Sequence, residues 1–320
     1  AVANLERLSM VNARGSQPSG FTLIELLVVV AIIALLMAIL LPSLAAVREQ
    51  SKQTKCGANL RNLATGAHTY ATDNLGVTCS GSFDPEVSKG RDGPVDRIGW
   101  VADLVNHKIA LPGEQLCPSN VARYNQKLAP GAAGPESYTK EQAEDLIRRG
   151  YNTNYAQAWY MARSQWRPNP NTNVKSVKTT MGPFRLDKYK VPLPMIPMLA
   201  DGRTDNTEPG AQYTAGEPTV KTMTDGPFDS VYGTQDYEDL GVVHGRRYVM
   251  AFDREHMGVR SNWAFMDGSV RTLTDRTPDG IFTLKKDVIP ADQVDLNPAQ
   301  IFDGVLSIGR RAATPWPPLE

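Results

Sequence analysis

The pattern of apolar and polar positions divides the chain into three textures. From Phe21 to Leu41 every position is apolar except Thr22 and Glu25. As a helix, this run is roughly 30 Å long at 1.5 Å per residue, which matches the hydrocarbon thickness of a bilayer and exceeds the apolar core of a secretory signal. It predicts a membrane segment. After Pro42 the pattern becomes periodic: Leu44, Val47, Cys56, Leu60, Leu63, Ala67 and Tyr70 fall mostly at three- and four-residue steps, with Arg, Lys, Glu and Gln between them. That spacing continues the helix with a single apolar face. Together the halves predict one helix over 21–75, about 80 Å long, with 21–41 apolar all round and 42–75 amphipathic. Asn74 and Gly76, which tolerate left-handed backbone, mark its end. Pro42 lies inside it, where the missing N–H and the ring clash favour a bend or local loosening.

From Gly76 to Glu320 short segments are punctuated by Gly and Pro, which predicts short strands and long connections. The stretch "YTKEQAEDLIRRG" predicts one helix, opened by a Thr139-x-x-Gln142 capping box and closed by Arg148, Arg149 and Gly150, with Ala143 and Ile147 on its apolar side. Strands are expected at 195–200, 248–252, 262–266, 270–274, 281–284 and 301–308. The strongest pairing signal is "NWAFMDGSVRTL", a hairpin over 262–274 whose Asp267-Gly268 suits a type I′ turn with positive φ at both central residues. The stretches 163–185 and 203–239 read as long surface loops, and no internal repeat is visible. The fold class is therefore α+β: a long N-terminal helix packed on an antiparallel β-sheet, with a large loop-rich C-terminal head over 76–320.

Charge and composition narrow the function. Lys plus Arg equals Asp plus Glu at 34 each, so no basic excess exists to release counterions from nucleic acid. Around the apolar run, Arg7 and Arg14 precede it, while Arg48, Glu49, Lys52 and Lys55 follow. This bias orients the span only weakly. The short basic end before the run suits the cytoplasmic side, with the bulk of the chain exported. An oxidising compartment would permit one disulfide among Cys56, Cys79 and Cys117. Cys79 and Cys117 lie in loop-like surroundings and form the expected pair, the alternative being three reduced thiols. No Cys-x-x-Cys occurs, so the spacing does not point to structural zinc.

Catalytic motifs are absent: there is no Gly-x-Ser-x-Gly, phosphate-binding Gly-Lys-Ser/Thr or His-Glu-x-x-His. His244, Asp253, His256 and Asp267 have metal-ligating or acid/base types without diagnostic spacing. The plainer reading makes Asp267-Gly268 a turn and His256 a loop hydrogen-bonder. Trp100, Trp159, Tyr160, Trp166 and Trp263 read as core or subunit contact rather than as a carbohydrate-binding face.

The misfit in the apolar run is Glu25, since an acidic residue at the centre of a membrane helix costs roughly 2.5 to 3.5 kcal/mol unless paired or near the interface. A cut between Gly20 and Phe21 would create a free α-amine four residues from it, on the same helix face. The amine of a neighbouring copy could then meet the carboxylate.

Gly20-Phe21-Thr22-Leu23-Ile24-Glu25 followed by the apolar run resembles the cleavage and N-methylation signal of type IV pilins and type II secretion pseudopilins. The resemblance implies that 1–20 is a leader, that a prepilin peptidase cuts after Gly20 and methylates Phe21, and that Glu25 and Pro42 serve assembly. It implies a pilin-like fold and a structural role, not an enzymatic one. The subunit would be stored as a single-pass inner-membrane protein with an exported head. With other pilins or pseudopilins and an inner-membrane assembly platform, it would then join a homo-oligomeric periplasmic or cell-surface filament. The order "KCGANLRNLATGAHTYATDNLG", "CPS", "YNTNYAQAWYMA", "MIPMLADGRTDN" and "NWAFMDGSV" further resembles the large prepilin-like proteins abundant in planctomycetes. Those carry a C-terminal His, nine residues, then Asp-Gly; here ten residues (257–266) separate His256 from Asp267. No cofactor is implied beyond calcium, which pseudopilin heads often hold in a loop. The oxygen-rich "ADGRTDNTEPG", "TDGPFDS" and "TQDYEDL" lack the EF-hand register. The alternative function is a membrane-tethered surface protein whose head binds glycan or polymer without polymerising, with an exported metal-dependent hydrolase a third reading.

Overall fold

The computed structural model describes residues 21–81, 94–128, 138–166, 180–181, 183–205, 217–224, 237–245, 259–276, 282, 296 and 301–302. The chain divides into two units, Ala1–Val47 and Arg48–Glu320. Helix α1 (Leu23–Asp73) contributes its first part to one and its second part to the other.

In the first unit the apolar side chains of α1 stand exposed, Leu44 and Val47 among them. It is the one helix among the described residues long and apolar enough to cross a membrane, and none of its most apolar stretch is buried. Helical structure continues through Pro42. The ring removes the N–H that would reach the Ala38 carbonyl, while Ser43 Oγ donates to the Leu40 carbonyl at 2.9 Å.

In the second unit α1 buries Cys56, Leu60, Leu63, Ala64, Ala67, Tyr70 and Ala71, the three- and four-residue spacing of one helix face. The helix stops where Leu75 and Gly76 take positive φ, 55° and 78°, and the Gly76 N–H donates to the Ala71 carbonyl at 2.9 Å. The sequence named Asn74 in place of Leu75. Beyond it follow α2 (Trp100–Asn106), α3 (Lys140–Arg148) and α4 (Trp159–Ala162). The capping box of α3 forms as predicted, Thr139 Oγ1 accepting from Gln142 N and Gln142 Oε1 from Thr139 N. Its inner face is Ala143 and Leu146, with Ile147 only half-buried.

The strands are β1 (Tyr124–Asn125), β2 (Tyr155–Gln157), β3 (Gln165–Trp166), β4 (Thr180–Met181), β5 (Pro197–Asp201), β6 (Thr204–Asp205), β7 (Thr219–Val220), β8 (Arg260–Phe265) and β9 (Val270–Thr274). The main sheet runs β2-β5-β8-β9 and is antiparallel throughout. α1 lies on it: the Asn262 amide donates to the Gln53 carbonyl at 2.9 Å, and the Gln53 amide donates to Thr272 Oγ1 at 3.2 Å. The central strand β8 buries five of its six residues. There Trp263 packs between Tyr237 and Phe282, ring centroids 5.3 and 5.1 Å away. Trp100, Trp159 and Tyr160 are likewise buried, as core residues should be.

Two expectations need correction. The stretches read as loops contain the two-residue strands β3, β4, β6 and β7, which pair β3 with β4 and β6 with β7; two residues are too few for alternation to show. The β8–β9 turn is not type I′. The Gly268 N–H donates to the Phe265 carbonyl at 2.9 Å, so Met266 and Asp267 are its central residues, and of Asp267 and Gly268 only Gly268 has positive φ, 78°. Glycine in the left-handed position of a three-residue loop is the next commonest hairpin connection. Asp267 Oδ1 accepts from Ser269 N and Oγ at 3.0 and 2.6 Å, fixing the turn from within. The predicted strands at 248–252, 281–284 and 301–308 fall outside the described residues, apart from the buried Phe282 and Ile301 and the half-buried Phe302. Asp253 and His256 also lie outside.

Candidate functional site: the start of helix α1 and a buried cluster

The first site is the N-terminal turn of α1. Glu25 Oε2 accepts from Thr22 N at 2.8 Å and from Thr22 Oγ1 at 2.7 Å, and Thr22 Oγ1 accepts from Glu25 N at 3.2 Å. Thr22 and Glu25 thus form a capping box, each side chain satisfying a backbone donor that the helix leaves orphaned. Sequence reasoning assigned Glu25 only an intersubunit role, although Thr-x-x-Glu before an apolar run is the signature of this cap. The two roles are compatible. Both Thr22 donors share Oε2, and a carboxylate has about four acceptor positions. The remainder of the segment is an apolar surface left uncovered among the described residues: Leu23, Ile24, Leu26 and Leu27 are each more than half exposed.

The second site lies in the second unit, where four segments converge. Cys56 comes from α1, Cys117 from the "CPSN" loop, Asp201 from the end of β5 and His244 from the segment bridged to the start of β8. All four are 0% exposed. Cys56 Sγ lies 3.2 Å from Asp201 Oδ1, His244 Nε2 lies 3.3 Å from Asp201 Oδ2, and Cys117 Sγ lies 3.5 Å from His244 Nε2. One ligand-type atom from each falls within 4.8 Å of all the others.

Each member is fixed by its neighbours. Asn154 accepts from Cys117 N at 2.8 Å and donates to the Cys117 carbonyl at 3.1 Å, while Asn59 of α1 donates to the Leu116 carbonyl at 3.0 Å. Asp201 Oδ2 accepts from Asn262 N at 3.1 Å and Ser261 Oγ at 3.4 Å. His244 exchanges backbone hydrogen bonds with Arg260, both at 2.9 Å. The Gly241 N–H donates to the Asp201 carbonyl at 2.7 Å, an approach only glycine allows, since a Cβ there would lie 2.5 Å from the Gly202 carbonyl oxygen.

Burial and mutual contact divide the thiols. Burial pushes Cys56 up, but hydrogen bonding from Cys117 and the adjacent His244 leave it below its usual value. Cys117 is driven well above, first by burial and then by donating to Cys56 beside Asp201. Burial disfavours the charged imidazole of His244, yet its hydrogen bonds to Asp201 and Cys56 raise it to about 10.

The expected bridge between Cys79 and Cys117 is not formed. All three cysteines are free and buried, and these two face different partners. Cys79 Sγ lies 3.5 Å from the Met161 carbonyl oxygen and 3.7 Å from the Gln157 amide, its thiol raised to about 12 by burial and by Asp103. Their loop surroundings suggested a pair, but each thiol is buried against its own neighbours. Asp267 and Gly268 serve the hairpin turn. Of the sequence candidates for metal or acid/base chemistry that lie among the described residues, His244 joins the cluster and Asp267 does not; no short spacing links Cys56, Cys117 and Asp201 to His244.

Comparison with known proteins places the first site in a family. Residues 16–41 match the prokaryotic N-terminal methylation motif. The chain is 46% identical over 59 residues to the type IV wide pilus major component PilA4 of Thermus thermophilus, covering 18% of this chain and 45% of that protein. It is 31% identical over 119 residues to type II secretion system core protein G of Pseudomonas aeruginosa, covering 37% of this chain and 79% of that protein. The chain belongs to the type IV pilin and type II secretion pseudopilin family. It spans less than half of the Thermus protein, and no solved structure matches it.

Proposed function

We propose that this protein is a structural subunit of a type IV pilus-like or type II secretion pseudopilus-like filament. In this reading 1–20 is a leader removed by cleavage after Gly20, 21–75 is the assembly helix with 21–41 as membrane span and then filament core, and 76–320 is the displayed head. The observation that carries it is the bare apolar surface of α1 directly behind the Gly20-Phe21 junction and Glu25. A surface of that length must be covered by lipid or by other helices.

Assembly exchanges one cover for the other. Lipid tails are as apolar as leucine, so transfer from bilayer to filament gains little from hydrophobicity and depends on close packing and polar pairing. The new amine of Phe21 supplies the polar partner: it pairs with Glu25 of an adjacent copy and sets the axial register, while Thr22 holds the carboxylate in place. Pro42, which has no N–H to offer the Ala38 carbonyl, gives a point where the helix can bend as subunits pack.

N-terminal sequencing with intact mass of the native protein tests the processing step, a chain beginning at methylated Phe21 being the expected result and an uncut chain the refuting one. Electron microscopy of sheared cell-surface material tests assembly. Filaments containing the chain are expected from wild type and should be lost in Glu25→Gln. A tethered head that never polymerises would yield no filaments from either, and normal filaments from the variant would remove the charge pair.

A further inference from the structure

We propose that Cys56, Cys117, Asp201 and His244 form a zinc site that staples the assembly helix to the head. Zinc takes thiolate sulfur at about 2.3 Å and imidazole nitrogen or carboxylate oxygen at about 2.0 to 2.2 Å, in a tetrahedron. The edges of such a tetrahedron are about 3.3 to 3.8 Å long. The three contacts measured around the cluster, 3.2, 3.3 and 3.5 Å, are of that size. The two contacts to Asp201 use different carboxylate oxygens, and one ligand-type atom from each residue lies within 4.8 Å of all the others, so a small inward shift brings the four to tetrahedral spacing.

The donor types select the metal. Two thiolates with one imidazole are soft to borderline ligands that suit zinc, whereas calcium takes six to eight oxygens. Four protein ligands with no exposure leave no open position, which marks a structural rather than a catalytic centre. The surroundings complete it. With Nε2 directed at the cluster, His244 turns Nδ1 toward Glu49 Oε1 at 3.5 Å, and Ser119 Oγ anchors that same oxygen at 2.8 Å. A carboxylate behind the second ring nitrogen is the usual outer partner of a metal-bound histidine. Two thiolates and a carboxylate around a divalent ion leave one formal negative charge. Tyr155 OH, 3.7 Å from Cys56 Sγ, and the Asn262 N–H on Asp201 are placed to stabilise it.

The site also accounts for a packing cost. Burying two thiols, a carboxylate and an imidazole together is expensive unless their charges and lone pairs are met, and all four side chains are fully buried. Binding a metal supplies that compensation and contributes it to folding. The four ligands lie on α1, the loop after α2, β5 and the segment entering β8, so one ion joins helix, sheet and loops of a head with many long connections.

The test uses the full chain in detergent, incubated with zinc and desalted. Elemental analysis and native mass spectrometry should find one zinc per chain in wild type and in Cys79→Ser, and essentially none in Cys56→Ser, Cys117→Ser or His244→Gln. Glu49→Gln should keep the site but bind zinc about 10- to 100-fold more weakly. Should the ligand variants fail to fold, cobalt added to wild type decides, since two thiolates in a tetrahedron give intense visible bands and a sulfur-to-metal charge-transfer band. Wild type that unfolds cooperatively yet takes up neither metal overturns the proposal. So does native protein that carries no zinc and has lost two hydrogens to a Cys56–Cys117 disulfide. Either result leaves filament assembly untouched, because the site stands apart from Phe21 and Glu25.

Discussion

Asp103 of α2 offers a measurable consequence of how the head is packed. Its carboxylate is buried and accepts from Ser80 N at 2.6 Å, while Ser80 Oγ accepts from Gly99 N at 2.9 Å, so it joins the chain leaving α1 to the start of α2. The titratable groups facing it are Tyr70 of α1, Cys79 and His107. Burial raises its pKa from 3.8 to about 6, outweighing the hydrogen bonds from Ser80 and Tyr70 and the nearby His107. A rise of this size corresponds to about 3 kcal/mol. Because the folded state holds the proton more tightly, this stability is fully present below the unfolded value near 3.8 and is lost as pH rises through about 6. Asp103→Asn keeps an oxygen for Ser80 N and has no charge to desolvate. Its stability relative to wild type should therefore grow by up to about 3 kcal/mol between acid and neutral pH, then level off. Urea unfolding of the detergent-solubilised chain, followed by tryptophan fluorescence in steps from pH 4 to 8, measures the difference. A gap between variant and wild type that stays constant, or narrows as pH rises, would refute the reasoning.

Other predictions concern the cap, the backbone contact beside the cluster and the core. Thr22→Ala should cost the start of α1 about 1 kcal/mol, read as faster amide exchange over residues 23–26. It should leave filaments intact where Glu25→Gln does not, and equal defects would merge the capping and pairing roles. Gly241→Ala should destabilise the head by about 2 kcal/mol or more, because the new Cβ meets the Gly202 and Arg203 backbone at 2.5 to 2.9 Å; an unchanged urea midpoint would contradict that contact. Trp263→Ala, which empties the space between Tyr237 and Phe282, should cost about 3 to 5 kcal/mol, and a loss under about 1 kcal/mol would show that the core repacks freely.

The sequence by itself determined the elements whose reasons are local. The apolar run, the helical period after Pro42, the Thr139 cap and the β8–β9 hairpin all rest on residues within a few positions of one another, and each appears close to its expected place. The cap at Thr22 and Glu25 was equally local. Thr22 stands three positions before Glu25, which is the spacing of a capping box. Tertiary structure decided the rest. The main sheet places β2 beside β5 and β5 beside β8, pairings that no turn signal encodes. Cys79 and Cys117 looked like loop partners yet turned inward toward different neighbours. Cys56, Cys117, Asp201 and His244 have no short spacing to mark them, and they meet because α1 lies on the sheet while Gly241 lets the chain before His244 approach β5. A site built from four distant segments becomes visible only when burial forces their polar groups to find one another.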